Sequence, residues 1–218
     1  VLAGGLGTRL GEIAESTPKA LVEVGGKPIL SHILDWVASQ GCSRVLILTG
    51  HLGDRFEGFE HHGVELTFFR ESRPLGTGGA LWNARSLIEG RFVLLWGDDL
   101  HMINYRNLVD THLASGCEMT MTVSRGHSSF NLEYGRGRVL RYDKEVLKPE
   151  GLNGYEAGTS VIEKSVLERL GKDGSWSWEG EVYKSMAGSI AAHLDDSPFW
   201  DLGTPERLVR LGRFLEER

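Results

Sequence analysis

Pro28-Ile29-Leu30-Ser31-His32-Ile33-Leu34-Asp35-Trp36-Val37-Ala38-Ser39-Gln40-Gly41-Cys42-Ser43-Arg44-Val45-Leu46-Ile47-Leu48-Thr49 changes its apolar period part-way along. In its first half Ile29, Ile33, Trp36 and Val37 recur at helical spacing behind Pro28, which suits the first position of a helix, and Gly41 can terminate the segment. Beyond the glycine, Val45-Leu46-Ile47-Leu48 is too short for a helix and rich in strand formers, the pattern of a strand covered on both faces. The same strand pattern returns over residues 64–69, 92–96 and 119–123, and helical patterns fill 77–88 and 105–114. This alternation predicts an α/β fold with a parallel or mostly parallel central sheet flanked by helices, and ligands bound at the carboxyl ends of its strands.

The second half is less regular. Residues 139–142, 158–162 and 190–194 read as strands, and 165–170 and 179–187 as helices. Thr204-Pro205-Glu206 opens a final helix to about Arg218, with Thr as cap and Pro at the first position. No repeat or linker interrupts the chain, so a single domain over residues 1–218 is expected. With 40% hydrophobic and 25% charged residues among 218, the chain can bury a large core, and no stretch nears the ~18 apolar residues of a membrane span. Lys and Arg total 24 against 30 Asp and Glu, a net charge of -6, so neither nucleic acid nor an anionic membrane is an expected partner. Cys42 and Cys117 show no CxxC spacing and are expected as small buried residues, and the absence of a signal-peptide pattern points to a reducing cytoplasm. The strand ending at Val1-Leu2-Ala3 is expected to begin upstream of Val1.

Glycine is over-represented, 29 of 218, and clusters where apolar runs end. Leu2-Ala3-Gly4-Gly5-Leu6-Gly7-Thr8-Arg9-Leu10 follows a strand, so glycines that admit phosphates sit at a strand's carboxyl end. A dinucleotide-binding G-x-G-x-x-G starting at Gly5 fails at Leu10, and a Walker A loop ending at Gly26-Lys27 fails at Leu21. What remains is a glycine turn carrying Thr8 and Arg9, with Lys19 ten residues beyond Arg9, two cations that a folded loop could aim at one polyphosphate. A purely structural glycine turn is the alternative.

Gly4-Gly5-Leu6-Gly7-Thr8-Arg9, eight residues, then Pro18-Lys19 resembles the signature of the sugar-1-phosphate nucleotidylyltransferases. The likeness continues through Val24-Gly25-Gly26-Lys27-Pro28-Ile29-Leu30, Pro74-Leu75-Gly76-Thr77-Gly78-Gly79-Ala80, Gly97-Asp98 and Trp200-Asp201-Leu202-Gly203-Thr204-Pro205, nearly the whole chain. It is similar in motif to guanylyltransferases acting on mannose-1-phosphate and heptose-1-phosphate. The resemblance implies a Rossmann-like domain with a nucleotide-binding half over 1–125 and a sugar-phosphate-binding half over 126–218. It also implies transfer of a nucleoside monophosphate from a nucleoside triphosphate to a sugar-1-phosphate, releasing pyrophosphate, with Mg²⁺ as cofactor.

The reaction gathers two anions and builds further negative charge, so cations and a hard metal ion are expected in the site. The family positions for the metal fall on Asp98 and Asp201; Asp99 is the adjacent alternative to Asp98. Arg9 then grips the β- and γ-phosphates, and Lys19 neutralises the triphosphate and the incoming sugar phosphate. No general base is needed, because a phosphate dianion is already a nucleophile. The loop Leu2, Ala3, Gly4, Gly5, Gly7 and Thr8 is expected to line the nucleotide. For the base, Glu71 and the turn at Gly76, Thr77 and Gly79 are expected. A carboxylate accepts two parallel hydrogen bonds, which guanine's N1–H and N2–H offer together, so GTP is favoured over UTP or another nucleotide.

The second phosphate falls to Lys144, since Asp143-Lys144 resembles the family's Glu-Lys motif with Asp in place of Glu; Lys148 is its rival. Glu156-Ala157-Gly158 resembles an Asn-Ala-Gly segment that contacts sugar hydroxyls, and Asn131 lies near a related position. Trp176 and Trp178 read as core or surface cover rather than as a sugar platform, His61-His62 as no metal site, and His51 as an exposed loop residue. A glycosyltransferase would share the α/β pattern and an acidic Asp98-Asp99, but gives no reason for Arg9 and Lys19. A silent nucleotide-sugar-binding regulator would be expected to lose one of Arg9, Lys19, Asp98 or Asp201. A monomer or homodimer is expected, with no further domain after the final helix.

Overall fold

The computed structural model describes residues 1–5, 7 and 13–216. In chain order the elements are α1 (Ile13–Ser16), β1 (Glu23–Val24), β2 (Lys27–Pro28), α2 (Ile29–Ser39), β3 (Arg44–Thr49), β4 (Glu65–Arg70), α3 (Gly76–Asn83), β5 (Arg91–Leu95), β6 (Asp99–His101) and α4 (Tyr105–Ser115). They continue with β7 (Met119–Ser124), β8 (Leu132–Gly135), β9 (Arg138–Tyr142), β10 (Tyr155–Glu163), α5 (Lys164–Leu170), β11 (Ile190–Leu194), β12 (Phe199–Asp201) and α6 (Pro205–Glu216). The chain divides into two compact units, one of Val1–Pro74, Trp96–Met102 and Phe199–Arg218, the other of Leu75–Leu95 and Ile103–Pro198. No helix among the described residues is long and apolar enough to cross a membrane.

In the first unit β3 and β4 pair in parallel, Arg44 opposite Glu65 through Thr49 opposite Arg70. Leu2 adds single parallel bridges to Leu48 on one side and Trp96 on the other. The Ala3 N–H donates to the Leu48 carbonyl at 2.8 Å and the Gly97 N–H to the Leu2 carbonyl at 2.8 Å, so the glycine loop starts where this parallel ladder ends. Gly97 is required there, because a Cβ would stand 2.9 Å from the Leu2 carbonyl oxygen. α2 buries Ile29, Leu30, Ile33, Leu34 and Val37, each contributing roughly 1.5–3 kcal/mol by leaving water. Gly41, at φ +83°, ends the segment in the left-handed region that a side chain resists.

The second unit carries a six-stranded sheet in the order β5-β10-β7-β11-β9-β8. Only β7 and β11 run parallel in it; β10 is antiparallel to both β5 and β7, β9 to β11, and β8 to β9. The parallel arrangement expected from the alternation therefore holds for β3, β4 and the Leu2 bridges of the first unit, while this sheet is mixed. The physical reason is that β7 is buried at every position, and a strand covered on both faces reads the same whichever way its neighbour runs. β8, absent from the sequence reading, joins β9 through the two-residue loop Arg136-Gly137, at φ +51° and +72°, whose twist suits a tight hairpin.

The core of this unit includes Met119, Met121, Leu108, Trp178 and Tyr183, and Trp176 is also buried. Asn104 caps α4 by accepting the Asn107 N–H at 3.0 Å, and Gly116 closes it at φ +63°. Two helical expectations change form. The segment 77–88 is the shorter α3 followed by a tight turn at Arg85–Leu87, and Glu179–Tyr183 is a π-helical turn, a widened geometry that recurs at functional sites. Cys42 and Cys117 are half-buried and unpaired rather than buried. His51 is exposed, and His61 hydrogen-bonds Asp35 at 2.9 Å.

Candidate active site

The first unit assembles its candidate side chains at the end of the parallel ladder. Lys19 begins a tight helical turn after Pro18 and pairs its ammonium with Asp98, from which it is 79 residues distant in sequence. Lys19 is 13% exposed and Asp98 29%, so the pair is partly shielded from solvent. Asp98 follows directly on Gly97. Its carbonyl accepts the Leu202 N–H at 3.0 Å, which fastens the segment carrying Asp201.

β6 and β12 then place Asp201 opposite Asp99 in an antiparallel register. Asp98, Asp99 and Asp201 thus offer carboxylate oxygens all within 4.8 Å of one another. Like charges directly opposite each other in a ladder repel, and here two cations offset that repulsion: Lys19 on Asp98 and Arg207, from the first turn of α6, on Asp201. The Asp201 Oδ1 also accepts the Gly203 N–H at 2.7 Å, which fixes the carboxylate's direction. Two or three oxygen donors of this kind suit a hard divalent cation, which takes carboxylates together with substrate phosphates. The sequence set Asp99 beside Asp98 as an alternative; the strand register brings both to Asp201.

Glu71 follows β4, its N–H donating to the Thr49 carbonyl at 2.9 Å. Its carboxylate lies over Gly50, where any Cβ would collide with it, and Gly4 in turn packs against the Gly50 backbone at 3.1 Å from an ideal Cβ. Gly4, Gly50 and Glu71 therefore stack at the carboxyl ends of the parallel strands. Leu2 and Ala3 are buried, Gly5 is exposed with open space where a Cβ would stand, and Gly7 is at φ +64°. Thr8 and Arg9 lie outside the described residues.

The second unit gathers the remaining candidates into two groups. Asn131 is buried, and its Oδ1 accepts the Glu156 N–H at 2.8 Å; the Glu156 Oε1 accepts the N–H of its own Gly158 at 2.9 Å. The register of β10 against β7 shifts between Glu156 and Ser160, and Gly158 sits in that irregularity at φ +74°. Such bulges re-aim side chains beside sites. Burial and then the Glu156 charge push the Tyr142 and Tyr183 phenols up, the two rings meeting edge-on at 5.3 Å.

The other group joins Lys144 and Thr77 through a residue the sequence reading missed, Glu179. Lys144 donates to its Oε1 at 2.6 Å and the Thr77 hydroxyl to its Oε2 at 2.6 Å. Burial works to raise the Glu179 carboxyl, but these two partners outweigh it and hold the group below its usual range. Nothing local could have singled it out, since Glu179 is 102 residues from Thr77 and 35 from Lys144. The glycines around Thr77 are accounted for by packing. A Cβ on Gly78 would fall on the Trp176 indole, and Cβ atoms on Gly76 and Gly79 would meet the Trp176 and Gly174 carbonyl oxygens. The Asp143 carboxylate accepts the Lys148 N–H at 2.9 Å, and the N–H groups of its own loop hold it below the usual range.

The nucleotidyl transferase family profile matches residues 1–217. The chain belongs to that family. It is 34% identical over 224 residues to the mannose-1-phosphate guanylyltransferase catalytic subunit beta of Drosophila pseudoobscura pseudoobscura, an alignment covering 94% of this chain and 59% of that one. It is 27% identical over 218 residues to the D-glycero-alpha-D-manno-heptose 1-phosphate guanylyltransferase of Aneurinibacillus thermoaerophilus, covering 94% and 93%. Among solved structures, HddC from Yersinia pseudotuberculosis superposes with a TM-score of 0.84 at 25% identity, covering 98% of this chain and 97% of that one, and has also been solved with GMP-PN. The chain thus spans 59% of the length of the insect relative and nearly all of the bacterial one. The resemblance to sugar-1-phosphate nucleotidylyltransferases drawn from the sequence is borne out, and so is the α/β fold.

Proposed function

We propose that the chain transfers a nucleoside monophosphate, GMP in preference, from a nucleoside triphosphate to a sugar-1-phosphate, giving a nucleoside-diphosphate sugar and pyrophosphate. The observation that carries this reading is the meeting of Lys19, Asp98 and Asp201 at the carboxyl end of the ladder from which the glycine loop departs. A Mg²⁺ ion would be held by Asp98 and Asp201, with Asp99 as a third donor, and when bound it supplies charge neutralisation for phosphoryl oxygens.

The chain's own residues do the rest. The backbone at Gly4, Gly5 and Gly7 admits the phosphates closely, and Arg9, by its place in the motif, takes the β- and γ-phosphates. The Lys19 ammonium exchanges part of its pairing with Asp98 for the triphosphate and the incoming sugar phosphate. Lys144 holds the sugar phosphate, and Asn131, Glu156 and Gly158 form the sugar pocket. An unprotonated sugar-phosphate oxygen then attacks the α-phosphorus and pyrophosphate leaves; no side chain has to remove a proton. Catalysis is positioning plus charge stabilisation. The preference for guanine rests on Glu71, whose carboxylate lies over Gly50 and can accept N1–H and N2–H together.

The test is pyrophosphate release with each nucleoside triphosphate against mannose-, glucose-, heptose- and N-acetylhexosamine-1-phosphates, with Mg²⁺ or EDTA. Release is expected to need both substrates and Mg²⁺, to be fastest with GTP, and to fall on the order of 10²-fold or more in Asp201→Asn. Equal release from Asp201→Asn would remove the metal role of that residue. Binding of nucleotide with no release from any pair would instead favour a regulatory homologue.

A further inference from the structure

Glu179 is 7% exposed, yet both of its oxygens are committed. Oε1 accepts from Lys144, and Oε2 accepts from the Thr77 hydroxyl at 2.6 Å and the Ser177 hydroxyl at 3.3 Å. Thr77 is fixed in its turn, since its oxygen accepts the Trp178 N–H at 2.8 Å. The carboxylate is therefore held from behind by two hydroxyls and the π-helical turn, while Lys144, 50% exposed, stands in front of it. A lysine ammonium has three donors on a flexible four-carbon stem. One is on Glu179, and the tetrahedral arrangement points others away from that carboxylate, where an anion can take them.

We propose that Glu179 is a positioning residue for sugar-phosphate binding: it orders the Lys144 ammonium before the substrate arrives and is itself held in place by Thr77. The inference rests on the reading of Lys144 as the sugar-phosphate cation. It also gives Thr77 a role on the sugar-phosphate side, in place of the nucleotide role expected from its glycine-rich turn. The opposing physical effect has the opposite sign. A carboxylate beside a lysine lowers the positive field that a phosphate meets, so if that effect won, removing the charge would tighten sugar-phosphate binding. Ordering prevails in this geometry because Glu179 is buried and doubly anchored, whereas an unanchored Lys144 would be a mobile, half-exposed side chain. Immobilising one such side chain ahead of binding corresponds to roughly three- to tenfold in affinity.

The experiment measures KM for mannose 1-phosphate at saturating GTP, and KM for GTP at saturating mannose 1-phosphate. The variants are Glu179→Gln, Thr77→Val, Thr77→Ser, Lys144→Ala and the double variant Lys144→Ala with Glu179→Gln. Binding of mannose 1-phosphate alone is followed by calorimetry. Glu179→Gln and Thr77→Val are expected to raise the mannose 1-phosphate KM and dissociation constant about three- to tenfold, with a GTP KM moved less than about twofold. Thr77→Ser, which keeps the hydroxyl, is expected to restore the parent value. On the Lys144→Ala background, Glu179→Gln is expected to add nothing, because it acts through Lys144.

An unchanged or lowered mannose 1-phosphate KM in Glu179→Gln overturns the proposal, as does a rise of the same size on the Lys144→Ala background. If Lys144→Ala itself leaves that KM unaltered, the reading of Lys144 falls and this inference falls with it, whatever Glu179→Gln does. Should Glu179→Gln fail to fold, the Thr77→Val and Thr77→Ser pair decides alone: an altered GTP KM with an unmoved mannose 1-phosphate KM refutes the proposal.

Discussion

Replacing Gly78 by alanine separates a glycine kept for packing from one kept for a ligand. The Gly78 N–H donates to the Trp176 carbonyl at 3.0 Å, the Trp176 N–H returns to the Leu75 carbonyl at 2.9 Å, and the indole Nε1 donates to the Lys172 carbonyl at 2.9 Å. Trp176 is thus held by two backbone bonds and its ring by a third, around the place where the new methyl would stand. Overpacking of a fixed core costs about 1–3 kcal/mol, and the pinned ring puts this site near the upper end. Against that, alanine in α3 recovers about 1 kcal/mol of helix propensity over glycine. The difference, about 2 kcal/mol, corresponds to a fall of roughly 4–8 °C in Tm for a chain of this size. Thermal unfolding followed by tryptophan fluorescence reads it, and Gly5→Ala is the contrasting variant. Gly5 has open space at its Cβ, so Gly5→Ala is expected to keep the parent Tm and show itself in a raised KM for the nucleotide. A Gly78→Ala protein melting within about 1 °C of the parent would refute the packing account.

Two further outcomes follow from buried polar groups. Burial raises the Glu179 carboxyl but its partners Lys144 and Thr77 bring it below the ordinary value of 4.5, so its contribution to stability is complete above about that pH and is lost as pH falls through the lower folded value. The Tm difference between the parent and Glu179→Gln should therefore be constant near neutrality and shrink in acid; a gap that stays constant down to the acid transition would count against it. Asn131→Leu strips the buried Glu156 N–H of its acceptor and is expected to lose about 1–3 kcal/mol, seen as a lower urea midpoint at unchanged m-value; an unchanged midpoint would contradict it.

Particular residues show what kinds of information were legible. α2 and β3 were readable because their apolar periods are set by each residue's nearest neighbours, as was the glycine loop at the end of the Leu2 strand. Lys19, Asp98 and Asp201 could be named together only through their motifs, since no local pattern links residues 79 positions apart. The structure added the means by which they meet: the Gly97 approach to Leu2, the Asp98 carbonyl on Leu202, and the ladder between β6 and β12.

Only tertiary structure decided the rest. The direction of β10 against β7 left no trace in two strands buried on both faces, whereas the parallel pairing of β3 with β4 agreed with the alternation. Asp99 joined Asp201 through strand register, which is a property of two segments at once. Glu179 became the hub for Lys144 and Thr77 because the π-helical turn buries it there, though in sequence it is one acidic residue in Trp178-Glu179-Gly180-Glu181. By itself the sequence determined the local periods, the glycine turn after the Leu2 strand and the family. Which charges share a site depended on contacts between distant segments, and a local pattern carries no record of those.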